Sequence, residues 1–190
     1  MNNLKFAKLS VAKVCHEMAN HLSIMKFLQE DLANSDVDEV KELLKTIDLL
    51  TLTMDFFRNI YANSGGISSV REILINIFKI KDITLLDNEN VLSDLSNNFE
   101  NVLCGVLYII MKACKTGDEI TVSKIGKNIF VAIPEGRALS KNVIDAFNNS
   151  VDEDIFNIFV NYIKKLANLE NLEINLETEN KNLRVKIWKK

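Results

Sequence analysis

The residues best suited to chemistry fall in one short stretch, Val14-Cys15-His16-Glu17-Met18-Ala19-Asn20-His21, which holds both histidines of the chain. Such a stretch invites a zinc-hydrolase reading, and the spacing rejects it. Two histidines that share a metal on one helix stand four residues apart, one turn on the same face. His16 and His21 are five apart, and at 3.6 residues per turn they point about 140° away from each other. Cys15 and His16 do not form a thiol–imidazole dyad, because adjacent helical residues diverge by about 100°.

His16 is the better candidate for a different chemistry. An exposed imidazole titrates near pH 6.5 and is mostly neutral at pH 7. Its unprotonated nitrogen is then a competent nucleophile toward a reactive phosphoryl donor. Glu17 follows directly and can accept a hydrogen bond from the other ring nitrogen, orienting the ring and supporting the charge that grows during attack. Asn20 lies one turn on, where it can position a water or a phosphoryl oxygen. Lys13, three residues before His16, can offset phosphate charge. Lys5, Lys8 and Lys13 against Glu17 alone make this end basic on a protein of net charge −3, which suits an acidic partner. The bland alternative is that His16-Glu17 is an ordinary solvated pair on a helix.

The elements that must carry these residues are two long helices. In the first, residues 4 to 33, apolar residues recur at Leu4, Ala7, Val11, Val14, Met18, Met25, Leu28 and Leu32, in steps of three and four. That is the seam of a helix packed in a bundle, and His21 fills its missing place. If Val11, Val14 and Met18 are buried, His16 faces solvent and His21 is a packed histidine with a hydrogen-bond partner. Asn34-Ser35-Asp36 breaks the pattern, with Ser35 as N-cap and Asp38 three places on. A second helix runs from about Asp36 to Ala62 with the seam Leu43, Ile47, Leu50, Met54, Phe57 and Tyr61, and Asn63-Ser64-Gly65-Gly66 ends it. The pair makes an antiparallel hairpin about 40 Å long. Leu9, Leu22, Phe27, Leu49, Leu52, Phe56 and Ile60 lie beside the seams and need cover. A second copy closing a four-helix bundle is the economical source, and the C-terminal half is the competing one.

The second half changes character. Short helices are predicted at 68–78 and 140–147, a strand at 83–87, and a strongly apolar helix from Asp94 to Cys114. A hairpin is predicted around Ile125-Gly126-Lys127, a helix at 154–169, and a final strand pair at 172–176 and 183–188. Hairpins alternating with helices predict an α+β sandwich. The domains expected are residues 1–64, the hairpin, and 67–190, the sandwich. Hydrophobic residues at 47% and charged residues at 26% are the usage of a soluble globular chain. A net charge of −3 offers no basic field for nucleic acid. No apolar run is long enough to span a bilayer, so no membrane contact and a cytoplasmic location are expected. Cys15, Cys104 and Cys114 match no zinc spacing, and Cys104 and Cys114 read as small core residues.

The order of these elements resembles the dimerisation and ATP-binding halves of a sensor histidine kinase. The segment Val14 to Asn20 resembles the kinase phosphoacceptor box, His-Glu-x-x-Thr/Asn. The kinase helix that carries the asparagines for Mg²⁺ and ATP corresponds to Phe99–Lys112, whose central face is apolar here. The Asp-x-Gly-x-Gly box and the glycine-rich lid are missing, and only Gly136 stands between the strand ending at Pro134 and the last helix. A degenerate kinase body with an intact phosphoacceptor helix is the pattern of dimeric histidine phosphotransferases. The ChpT type of alphaproteobacterial phosphorelays is the best match, since its helix reads Leu-Cys-His-Asp/Glu-Leu where this chain has Val14-Cys15-His16-Glu17-Met18. The Bacillus sporulation-relay phosphotransferase is a weaker match, with His-Asp-x-x-Asn. His21 departs from kinase boxes that have proline at that place.

The resemblance implies phosphotransfer through His16 between aspartates of response-regulator receiver domains, with Glu17 and Asn20 beside it and Lys13 and Ala19 contacting the phosphoryl group or the partner. It implies a homodimer with no cofactor of its own, Mg²⁺ arriving with the receiver. Two rivals stay open: a non-catalytic dimeric adaptor that binds response regulators, and a residual histidine kinase.

Overall fold

The computed structural model describes residues 18, 22–23, 25–26, 29, 32, 37–62, 69–93, 97–148, 158–179 and 182–190. The chain forms two compact units, residues 1–80 and 81–190.

In the first unit Met18, Leu22, Ser23, Met25, Lys26, Gln29 and Leu32 are helical. Helix α1 spans Asp38–Ala62 and α2 spans Val70–Ile80. The Val37 carbonyl accepts from the Val40 and Lys41 N–H groups and so starts α1. The expected N-cap Ser35 lies outside the described residues. Gln29 Nε2 donates to Asp48 Oδ1 at 3.3 Å, which ties the first helix to α1 across the hairpin. Helix α2 opens with a reciprocal capping box, in which the Glu72 N–H donates to Ser69 Oγ and the Ser69 N–H to Glu72 Oε2, both at 3.1 Å. Its stripe of Val70, Ile73, Leu74, Ile77 and Phe78 is buried, and the helix packs on α1. The sequence reading puts the boundary at Gly65-Gly66 and gives this helix to the second domain. The compact units divide after Ile80 instead, because α2 finds its cover on α1.

The second unit runs β1 (Thr84–Asp87), a 3-10 helix (Asn88–Ser93), α3 (Asn97–Met111), β2 (Glu119–Ile125), β3 (Asn128–Ala132), α4 (Lys141–Asn148), α5 (Ile158–Leu169), β4 (Leu172–Glu179) and β5 (Asn182–Lys189). The strands form one mixed sheet in the order β1-β2-β3-β5-β4, with only β1–β2 parallel. Gly126 takes a positive φ of 62° at the β2–β3 turn, a backbone state that costs glycine little. The register sets Val122 opposite Val131 and Val131 opposite Val185, and these residues are fully buried. Arg184 and Lys186 alternate with them toward the other face, where both lie over the Phe130 ring and pair with Glu177. Val102 to Met111 is buried without a break. A helix apolar on every side belongs inside a core, and α3 packs there against α5. The α+β class therefore holds, with a five-stranded mixed sheet and helices.

Candidate functional site

The candidate residues Lys13, His16, Glu17, Ala19 and Asn20 lie outside the described residues, as do Cys15 and His21. What the structure describes is the scaffold around them: Met18 within the stretch, Leu22 just beyond it, and the whole of α1. The Gln29–Asp48 hydrogen bond sets the level of the hairpin.

The seam inferred from sequence divides in two. Met18, Met25 and Leu32 on the first helix and Leu43 and Leu50 on α1 are between 38% and 46% exposed. The flanking residues Leu22, Phe56 and Ile60 are buried instead, together with Ile47 and Tyr61. The reading of Met18 as a buried seam residue is thus corrected for the single chain. Helix α2 supplies apolar cover on the flanking side of α1, which frees the seam to face outward. The exposed residues recur every seven positions, at Met18, Met25 and Leu32 on the first helix and at Leu43 and Leu50 on α1. Seven-residue spacing keeps apolar residues on one side of a helix.

Sequence reasoning passed over Asn59. Among the described residues it is the one buried polar side chain, 7% exposed, and its Nδ2 donates to the Asp55 carbonyl at 2.9 Å. A mid-helix asparagine carries no periodic signal, so only packing could reveal it.

In the second unit the helix compared with the kinase ATP-binding helix is closed by its neighbour. A Cβ built on Gly105 would lie 2.2 Å from Ile163 Cδ1 and 2.7 Å from its Cγ1, so α3 and α5 cross at a distance only glycine permits. One turn on, the rings of Tyr108 and Phe159 meet edge to face with centroids 5.7 Å apart. The loop after β3, which carries Gly136, is clamped as well. Arg137 Nε donates to Asp118 Oδ2 at 2.6 Å and its Nη2 to Oδ1 at 2.9 Å, and the Lys115 N–H adds a third bond at 2.7 Å. The Arg137 hydrogen bonds, helped by the Lys115 N–H, hold the Asp118 carboxyl down at about 2. Cys104 is buried and Cys114 half-buried. Burial first, then the Asp118 charge, pushes the Cys114 thiol up to about 11, as suits a structural cysteine. Among the described residues no group of three or more His, Cys, Asp or Glu side chains could hold a metal, and no helix is long and apolar enough to cross a membrane.

With this geometry in place, comparison with solved structures decides the fold. A structure described as a bacterial phosphotransferase matches 98% of this chain and 96% of its own, with a TM-score of 0.65 at 13% sequence identity. The chain has the fold of that bacterial phosphotransferase. Two histidine kinases are also similar. Full-length ShkA in complex with AMPPNP matches 94% of this chain and 44% of its own at 13% identity, TM-score 0.48. The blue-light-activated histidine kinase EL346 of Erythrobacter litoralis matches 94% of this chain and 57% of its own at 16% identity, TM-score 0.43. No family model matches the chain, and no curated protein matches it by sequence.

Proposed function

We propose that the chain is a histidine phosphotransferase of a two-component phosphorelay. The observation that carries this reading is the end-to-end likeness to a solved bacterial phosphotransferase, on a chain whose sequence contains His16-Glu17-x-x-Asn20. The unprotonated nitrogen of His16 attacks the phosphorus of an aspartyl phosphate in line. The bond from phosphorus to the aspartate oxygen breaks, the carboxylate leaves, and a phosphohistidine forms. Transfer to the aspartate of a second receiver is the same step reversed. Glu17 orients the ring, while Asn20 and Lys13 contact the phosphoryl group and Ala19 the receiver. Mg²⁺ comes with the receiver, and the chain supplies no cofactor of its own. Transfer of this kind depends on positioning and charge neutralisation, which a helix face can provide.

The working form is a homodimer. The exposed apolar residues at seven-residue spacing support this, because a second copy carries the same repeat and covers them by two-fold symmetry. The tight Gly105–Ile163 crossing and the Asp118–Arg137 clamp favour a scaffolding role for the second unit over nucleotide turnover. Phosphorylated receiver domains carrying radiolabel provide the test, with wild type compared against His16→Gln. Acid-labile label on wild type alone is the expected result. Label from ATP without a receiver points to a kinase. Tight receiver binding with no label on wild type overturns phosphotransfer in favour of the adaptor.

A further inference from the structure

We infer that the outward seam of the hairpin is sensitive to peroxide oxidation at Met18 and Met25, which gates assembly of two copies. This rests on the homodimer reading above. Two of the five exposed seam residues named above carry a thioether, and both methionines are solvent-accessible in the single chain, Met18 at 43% and Met25 at 38%. They stand seven residues apart on one face, so a partner that covers one covers the other. The other described methionines differ: Met111 is buried in α3 and Met54 is half-buried on α1.

The thioether sulfur attacks one oxygen of hydrogen peroxide. A sulfur–oxygen bond forms as the O–O bond breaks, and the departing hydroxide takes a proton to leave as water. The sulfur is oxidised to the sulfoxide and the peroxide is reduced. A flexible apolar side chain becomes a polar one. Placed in a dry seam formed by apolar residues such as Leu32, Leu43 and Leu50, the sulfoxide dipole lacks a hydrogen-bond partner, so the seam no longer closes. Both side chains are partly exposed in the single chain and covered in the dimer, so oxidation draws on the monomer and holds it there. Met18 lies two residues from His16 in the chain, which ties the state of this seam to the proposed phosphoacceptor.

The test treats the full chain with hydrogen peroxide, follows mass by light scattering on a sizing column, and maps sulfoxide by peptide mass. The expected result is a dimer before treatment. Sulfoxide should form at Met18 and Met25 more slowly as protein concentration rises, with at least a tenfold rise in the dimer dissociation constant. Methionine sulfoxide reductases should restore the dimer and dithiothreitol should not, which separates this chemistry from thiol oxidation. The Met18→Leu/Met25→Leu variant should stay dimeric under peroxide. A dimer that persists with both residues oxidised overturns the inference and leaves the dimer intact. Peroxide-driven dissociation of the double-leucine variant also overturns it. A monomer before any treatment overturns the dimer reading and this inference together.

Discussion

A single methyl group added at Gly105 probes the closest helix crossing in the second unit. The new Cβ would sit 2.2 Å from Ile163 Cδ1, 2.7 Å from Cγ1 and 3.5 Å from Cγ2. The Cδ1 contact could be relieved by rotating the end of the isoleucine. The Cγ1 contact could not, because its place is set by χ1, and a β-branched side chain on a helix has one strongly preferred χ1. Ile163 is fully buried, as are Leu103, Cys104, Val106 and Leu107 around the glycine, so α5 must shift as a whole. Overpacking a filled core costs about 1–3 kcal/mol. Replacing a helical glycine with alanine returns about 1 kcal/mol of propensity. The net expectation for Gly105→Ala is a loss of about 0–2 kcal/mol. Urea unfolding followed by the fluorescence of Trp188, the one tryptophan of the chain and a β5 residue, reads this unit directly. Ile163→Ala alone leaves a cavity costing roughly 2–5 kcal/mol. In the Gly105→Ala background it should cost less, since the alanine occupies part of the space, giving a favourable coupling in a double-mutant cycle. A Gly105→Ala protein that gains stability by the propensity term, or a cycle with no coupling, would refute the close crossing.

Two further outcomes test the scaffold. The Asp118 carboxyl is held at about 2 against an ordinary 3.8, first by the Arg137 side chain and then by the Lys115 N–H. A depressed carboxylate stabilises the fold above its unfolded pKa and loses that effect as pH falls toward its folded one. The stability difference between wild type and Asp118→Asn, measured by chemical unfolding across pH, should therefore be constant above about pH 4 and shrink toward pH 2; a difference that survives at pH 2 would refute the pairing. Ser69→Ala removes the acceptor of the α2 capping box and should cost about 1 kcal/mol, seen as faster amide hydrogen exchange across the first turn of Val70–Ile80; unchanged exchange there would count against the cap.

Much of the architecture follows from local pattern. The hairpin around Gly126 and the strand pair at the C-terminal end were legible because alternation of apolar and polar residues is a property of each strand by itself. The ten-residue apolar run from Val102 to Met111 announced a helix buried on every side. The candidate chemistry rests on spacing alone: His16, Glu17 and Asn20 stand close together in the chain and lie outside the described residues.

What the sequence determined by itself is therefore the long helix α1, the strand hairpins, and a histidine with a carboxylate beside it in the chain. What only the tertiary structure decided is which apolar face each helix spends inside its own chain. A seven-residue repeat states that a seam exists but not who fills it. Helix α2 turned back onto α1 with its Val70, Ile73, Leu74, Ile77 and Phe78 stripe, the flanking Phe56 and Ile60 became core, and the seam from Met18 to Leu50 was left facing outward. Gly105 is the same lesson at one residue. In sequence it is a helix-weakening glycine in an apolar run, and its role appears only when Ile163, fifty-eight positions later, arrives against it, since a contact between distant segments has no local signature.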